Sequence, residues 1–571
     1  MKRFVSCSLV LFLSVSVLEA ASREPSRGRQ AMVASVSEIA SRVGVDVMKK
    51  GGNAVDASVA VALTLAVTWP SAGNLAGGGF MLVRKADGTA EVIDYRERAP
   101  LAATRDMYLD AQRNVIPGAS TLGYQAVAVP GTVAGLVLAH RRHGRLKWSE
   151  LVEPARKLAA DGFLVNIYLE RSLSDEYNRK RLATFPETRR LYLNGGKGWH
   201  VGDRFRQPEL AATLARMQKE GAKDFYRGET ARLIIEDVKR NGGLLTADDL
   251  RQYEPTVRKP LRGTYRGYEI LTMPPPSSGG AVLLEALNIL ERFDLASMGR
   301  SSSQSLHLIV EASRRAYADR AAFMADTDFE KVPIAGMIDK RYAAELARGI
   351  DPMKASDSSQ VKAGNPQAFE KTETTHFSIV DAEGNAVSNT YTLNDSYGSA
   401  AVVKGAGFLL NNEMDDFTSK PGVPNIYGLI QSEANAIVPK KRPLSAMTPT
   451  LVLKDGKLFM AVGSPGGGSI ISTVLHVILN VIDFGLNLQE AVDAPRFHHQ
   501  WLPDVINWEK DGLNADTKVA LETKGHVIRE KSGYSSDWRF MGDVHAVMIE
   551  SATGVRLGSS DPRRGGVAVG Y

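Results

Sequence analysis

Two threonines stand where a β-hairpin would bring them together. Thr374 opens the strand-like stretch Thr374–Val380 and Thr392 closes the stretch Ala386–Thr392, with Asp381–Asn385 as the connecting loop. Centring the hairpin on that loop pairs Thr374 with Thr392. Two paired threonines on a sheet face are a common structural contact. They become chemistry if the chain is cut before Thr374. A free α-amine, with an ordinary pKa of about 7.7–8.0, would then sit beside the hydroxyl of the same residue. That amine is placed to serve as general base for its own Oγ, the arrangement of an N-terminal threonine nucleophile, with Thr392 orienting it.

Three further groups could complete such a site. Gly463-Ser-Pro-Gly-Gly-Gly468 joins a strand to a helix. Its backbone N–H groups could stabilise a developing oxyanion, or the glycines could simply serve a tight turn; the G-x-G-x-x-G dinucleotide spacing is absent. Asn411-Asn-Glu-Met-Asp-Asp416 lacks the spacing of a calcium loop and reads either as a binder of an ammonium group or as a solvated acidic loop. Arg96, in Asp94-Tyr-Arg-Glu97, could hold a carboxylate bidentately or pair with its neighbour Asp94 or Glu97. His498-His499 lies on no H-E-x-x-H pattern, and no metal is expected. Lys440-Lys-Arg442 reads as a solvated loop.

The elements that must carry these residues follow from periodicity. Helices are expected over Val36–Lys50, from the Asn53 cap to about Val67, and over Ala281–Arg292, Ser303–Met324 and Ser469–Phe484. Strands are expected at Phe80–Arg84, Ala90–Tyr95, Tyr268–Met273, Thr450–Leu453, Leu458–Val462 and His545–Ile549, a mixed α/β pattern. Asp351–Glu373 is polar and aperiodic and reads as an exposed, mobile segment.

The 571 residues are 44% hydrophobic and 23% charged, which excludes disordered, collagen-like and coiled-coil chains. A net charge of +6 on this length gives no case for nucleic acid. Lys2-Arg3, the uncharged apolar run Phe4–Leu18 and the small residues around Ala20 read as a signal peptide over residues 1–20. The run falls short of the ~20 apolar residues of a stable membrane span. The single cysteine, Cys7, would leave with it, so an exported, periplasmic or secreted protein without disulfides is expected.

Together these segments resemble the gamma-glutamyltransferase (glutathione hydrolase) family. The motifs that carry the resemblance are Lys50-Gly-Gly-Asn-Ala-Val-Asp-Ala57, Gly77-Gly-Gly-Phe-Met81, Asp94-Tyr-Arg-Glu97, Pro274-Pro-Pro-Ser-Ser-Gly-Gly280 and Thr374-Thr-His-Phe-Ser378. They continue with Leu410-Asn-Asn-Glu-Met-Asp-Asp-Phe417, Lys441-Arg-Pro-Leu-Ser445, Gly463-Ser-Pro-Gly-Gly467 and Ala494-Pro-Arg-Phe-His-His-Gln500. The resemblance implies an N-terminal-nucleophile hydrolase fold, a four-layer αββα sandwich. It implies self-cleavage between Glu373 and Thr374 into a large piece (21–373) and a small piece (374–571) that stay together as a heterodimer. Thr374 then matches the nucleophile, Thr392 its neighbouring hydroxyl, and Gly466 and Gly467 the oxyanion donors. Arg96 and Ser445 match holders of the substrate α-carboxylate, and Asn394, Glu413 and Asp416 surround its α-amine. Tyr427 matches the gate of a lid loop over Pro421–Tyr427. The expected substrates are glutathione and other γ-glutamyl compounds, the expected acceptors water, amino acids or dipeptides, and no cofactor is needed. Two positions vary: Ala446 stands where the family often has a second serine, and Glu413 where bacterial members often have glutamine. A cephalosporin or glutaryl amide acylase of the same fold is the nearest alternative, and a non-catalytic binding protein the other.

Overall fold

The computed structural model describes residues 22–369, 378–531 and 541–571. Residues 1–20, read above as a signal peptide, and Glu373 and Thr374 lie outside them.

Two seven-stranded antiparallel sheets form the centre of the molecule. The first runs in the order Ser26–Gly28, Arg556–Ser560, His545–Ile549, Lys457–Gly463, Thr450–Lys454, Tyr268–Thr272, Leu261–Tyr265. The second runs Val567–Gly570, Met32–Ser35, Ile379–Val380, Ala386–Thr392, Gly78–Arg84, Ala90–Asp94, Thr256–Arg258. Alternation along each strand sends one set of side chains between the sheets and the other outward. Met32, Leu82, Val380 and Ala386 meet Leu271, Leu451, Ala461 and Val547 in the inter-sheet core. The outward faces are covered by helices. Ala54–Thr68 packs on the second sheet through Val33, Met81 and Val387. Gly279–Leu290, Ser303–Phe323 and Ile470–Ile482 pack on the first through Ile270, Val452 and Met460. The result is the expected order of layers, helix–sheet–sheet–helix.

The expected elements are present with ends shifted by one to three residues where they are described in full. The helix Ala54–Thr68 begins at a capping box: the Asn53 side chain accepts from Val55 and Asp56 N–H, and Asp56 accepts from Asn53 N–H. The hairpin has the register argued above, with Ile379 opposite Val387 and Val380 opposite Ala386. Ala386–Thr392 is held on its other side by a full ladder to Gly78–Arg84, ending at Thr392 opposite Gly78. Glycine at 77 is required here, because a Cβ would run into the Thr392 carbonyl.

Two expectations are corrected. The part of Asp351–Glu373 that is described is pinned to the body. Ser356 donates from its N–H (3.0 Å) and Oγ (2.6 Å) to Glu311, Ser358 N–H donates to Asp504 (2.8 Å), and Gly364 N–H donates to Asp319 (2.8 Å). Lack of apolar periodicity misled because this segment is fixed by polar contacts to buried acids. Lys441 and Arg442 are likewise buried. Glu330 (3.0 Å) pairs with Lys441, while Asp94 (3.4 Å) and Asp328 (3.6 Å) receive Arg442.

Candidate active site

A cavity of about 180 Å³ opens where the ends of both sheets meet the loops that follow them. Arg96, Thr392, Asn394, Glu413, Asp416, Tyr427, Ser445, Gly466 and Gly467 all line it. They come from points up to about 370 residues apart in the chain, and each is delivered by a definite local device.

Arg96 follows directly on the strand Ala90–Asp94 and is fully buried. Its Nη1 pairs with Glu413 and its Nη2 with Asp416 (2.5 Å), while Nε donates to the Pro443 carbonyl (3.1 Å). Glu97 lies 3.6 Å from Nη1. The long-range acids, not Asp94, take the guanidinium: Asp94 is used by Arg258 (2.7 Å) and by the Arg96 N–H (2.9 Å). Burial pushes both Glu97 and Glu413 upward against the opposing charge of Arg96, Glu97 to about 7, and the charge of Glu97 raises Glu413 further.

Asn411–Asp416 is buried, not a solvated acidic loop. Asn411 sets its course: its Oδ1 accepts from Ala128 N–H (2.9 Å) and Glu413 N–H (3.0 Å), and its Nδ2 donates to the carbonyls of Ala76 (2.8 Å) and Ala128 (2.9 Å). Thr392 Oγ1 accepts from Asn394 N–H (2.8 Å), and Asn394 Nδ2 donates to the Asn412 carbonyl (3.0 Å). Asn394 itself has φ +78, a conformation asparagine tolerates.

Ser445 is fixed by the Pro-Pro-Pro-Ser-Ser motif. Its N–H donates to the Pro276 carbonyl (2.8 Å), and its carbonyl accepts from Ser278 N–H (2.8 Å) and Oγ (2.7 Å). Its neighbour Ala446 also lines the cavity and offers no hydroxyl there.

Gly466 and Gly467 sit between the strand Lys457–Gly463 and the helix Ile470–Ile482, with φ of +140 and +56. Among the described residues no acceptor takes either amide. The ring of Tyr427 lies against Gly467 where a Cβ would clash, and its hydroxyl donates to the Asn394 carbonyl (2.7 Å). The loop that carries Tyr427 is anchored in turn: Asn425 Nδ2 donates to Asp416 (3.1 Å), Ile426 N–H to Asp415 (3.1 Å), and Gln500 to the Gly428 carbonyl (2.8 Å). Burial raises Asp415 to about 6.

The cavity also contains residues that the sequence reading passed over, among them Tyr177, Arg320, Asp395, Lys531 and Arg564. Arg320 sits inside a helical pattern with no local signal of a site, so only the fold reveals it. His498 and His499 are buried and committed to Ser472 (2.6 Å), Gln500 (2.8 Å) and Asp504 (3.0 Å). One group among the described residues, His307, Glu311 and His526, has potential metal ligands close together. Glu311 is taken by Arg315 (2.6 Å), Arg314 (3.2 Å) and Ser356, and His307 bridges His526 (2.8 Å) and the Asp351 carbonyl (2.8 Å). Two guanidiniums at that carboxylate oppose a further cation.

The family profile for gamma-glutamyltranspeptidase matches residues 40–571. The chain is 47% identical over 539 residues to the glutathione hydrolase proenzyme of Escherichia coli (strain K12), covering 94% of this chain and 91% of that protein. Its fold superposes on the crystal structure of cephalosporin acylase from Bacillus halodurans with a TM-score of 0.84 at 26% identity, over 98% of this chain and 99% of that one. A chain of Helicobacter pylori gamma-glutamyltranspeptidase covers 59% of this chain at 42% identity and a TM-score of 0.57, with 97% of its own length matched. The fold is thus that of the N-terminal-nucleophile hydrolases, and the chain belongs to the gamma-glutamyltranspeptidase family.

Proposed function

We propose that this protein is exported, cuts itself between Glu373 and Thr374, and then transfers γ-glutamyl groups from glutathione and related amides to water or to amino-acid and dipeptide acceptors. The observation that carries this reading is the cavity itself. It joins a buried cation and two buried acids to a pair of glycine amides that no acceptor among the described residues takes, beside the strand end at Thr392.

The observed hairpin register supports the place of the nucleophile, since continuing the ladder from Ile379–Val387 pairs Thr374 with Thr392. In the proposed reaction the α-amine of Thr374 takes the hydroxyl proton as Oγ attacks the γ-carbonyl carbon. The carbonyl oxygen becomes an oxyanion held by Gly466 and Gly467 N–H. The C–N bond then breaks, and the proton passes from the ammonium to the leaving nitrogen. Water or an amine attacks the resulting γ-glutamyl ester by the same steps in reverse, releasing Thr374 Oγ. Arg96 and Ser445 serve the α-carboxylate, and Asn394, Glu413 and Asp416 the α-ammonium. Tyr427 covers the site.

The test is denaturing electrophoresis with N-terminal analysis of wild type and Thr374→Ala. Two fragments with the smaller starting at Thr374, and an uncut inactive variant, are expected. A cleaved Thr374→Ala protein sinks the self-processing claim. The likeness to cephalosporin acylase keeps a second reading open, in which the acyl group lacks the α-amine. Glu413 and Asp416 favour the amino-acid end. Turnover of glutaryl-p-nitroanilide but not γ-glutamyl-p-nitroanilide would decide for the acylase.

A further inference from the structure

A second cavity, of about 30 Å³, shares no lining residue with the active-site cavity. It lies between the helices Ser303–Phe323 and Ile470–Ile482 and the paired strands Phe497–His498 and Ile506–Trp508. Its polar groups are of one kind. Arg300, His476, Arg496 and Trp508 line it, and no carboxylate among the described residues does.

Three of these residues carry buried nitrogens that no partner among the described residues reaches: Trp508 Nε1, Arg496 Nε and His476 Nδ1. Trp508 and His476 are each 7% exposed and Arg496 2%. An indole N–H and a guanidinium Nε–H can only donate. Buried donors left unmade are costly, and where several gather in a native protein a water or an ion supplies the acceptor. Arg300 adds a charge. It is half-buried, burial lowers its guanidinium, no charged neighbour offsets that, and among the described residues nothing accepts from its side chain. Arg496 already pairs with Asp561 (2.6 Å), so the balance of the cavity is set by Arg300. His476 is neutral, since burial and then Arg496, His498 and Arg300 hold it down at about 3. Arg300 and Ser301 lead into Ser302, the N-cap of the 21-residue helix Ser303–Phe323, whose first turn is the positive end of its dipole.

The donors are held in place. Trp508 lies opposite Phe497 across the strand pair, and the Phe497 ring is 4.3 Å from that of His476. Thr517 Oγ1 donates to the Ser301 carbonyl (3.2 Å). A water in the cavity would meet some of the donors and leave the charge of Arg300 unbalanced. The volume admits about two water-sized spheres, room for a monatomic anion but not for a sugar or a nucleotide.

We propose that this cavity binds a small inorganic anion of the size of chloride, held by Arg300, Trp508 Nε1 and His476. Bound there, it ties the segment 495–513 to both helices and adds to the stability of the folded protein. The inference stands apart from the γ-glutamyl reading, so neither falls with the other.

The experiment is thermal unfolding of the purified protein in sodium chloride and in sodium gluconate at equal ionic strength, for wild type, Arg300→Gln and Trp508→Phe. Gluconate is too large for the cavity. Chloride should raise the wild-type midpoint by about 1–3 °C over gluconate, by mass action on the folded state. Arg300→Gln should lose that difference and Trp508→Phe part of it. A wild-type crystal soaked in bromide should show anomalous scattering beside Arg300 and Trp508. Equal wild-type midpoints in the two salts overturn the proposal, as does a chloride effect that persists in Arg300→Gln. A cavity without bromide also overturns it and marks a water site only. If either variant fails to fold, the bromide soak of the wild type decides.

Discussion

Glu97 shows how a single buried group sets a pH dependence. Among the described residues its carboxyl meets Arg96 at 3.6 Å but accepts no hydrogen bond, and Gly78 makes room for it, since a Cβ there would overlap the carboxylate. Burial, only partly offset by Arg96, raises it to about 7. A raised carboxyl binds its proton more tightly in the folded protein than in the unfolded chain. Its contribution to stability is therefore present at low pH and lost as pH rises from about 4.3 toward 7. Glu97→Gln removes this titration. The variant should match wild type in thermal midpoint near pH 5 and exceed it near pH 8, read by thermal unfolding at both; a constant difference at the two pH values would refute the shift. Gly467 is the second residue whose identity has a direct physical reason, φ +56 and the Tyr427 ring against it. Gly467→Ala keeps the amide but strains the backbone and displaces the ring, and should raise KM for γ-glutamyl-p-nitroanilide by about 10-fold or more. Adding Tyr427→Ala should recover part of that loss, a coupling that independent effects would not produce.

At the level of elements, the outcome depends on which neighbours a segment finds. The helix Ser303–Phe323 is 21 residues long and nearly all buried through Arg320, charged residues included. Glu311 on this helix neutralises Arg314 and Arg315 and also ties down Ser356. Removing it leaves two buried guanidiniums short of a partner, a loss on the order of 3–5 kcal/mol. Glu311→Ala should therefore release residues 350–369, seen as a protease nick within that stretch where wild type resists. An uncut variant would show that other contacts suffice. The segment gave no such indication in the sequence, because serine, aspartate and glycine without apolar period describe a mobile linker and a hydrogen-bonded strap equally well. The helices and strands were legible because their cues are local: the Asn53 cap, the glycines that end Val36–Lys50, and the alternation in Ala386–Thr392.

For the whole molecule, strands from both sides of the proposed cut are interleaved. Ala386–Thr392 is paired with Gly78–Arg84, Val567–Gly570 with Met32–Ser35, and Thr450–Lys454 with Tyr268–Thr272. Neither piece can keep a complete sheet alone, so the processed fragments should co-elute in native gel filtration and unfold in one transition, separating only in denaturant. Fragments that part under native conditions would contradict this. The sequence by itself determined the elements, the family, the hairpin register and nine residues that do meet in one cavity, since those rest on local period and on motifs. Only the tertiary structure decided which charges meet. Arg96 takes Glu413 and Asp416 from more than 300 positions away besides its neighbour Glu97, Lys441 and Arg442 are buried, and Arg320 turns into the site. The physical reason is that ion-pair choice and desolvation depend on distances and burial set by the packing of the two sheets, and local sequence carries neither.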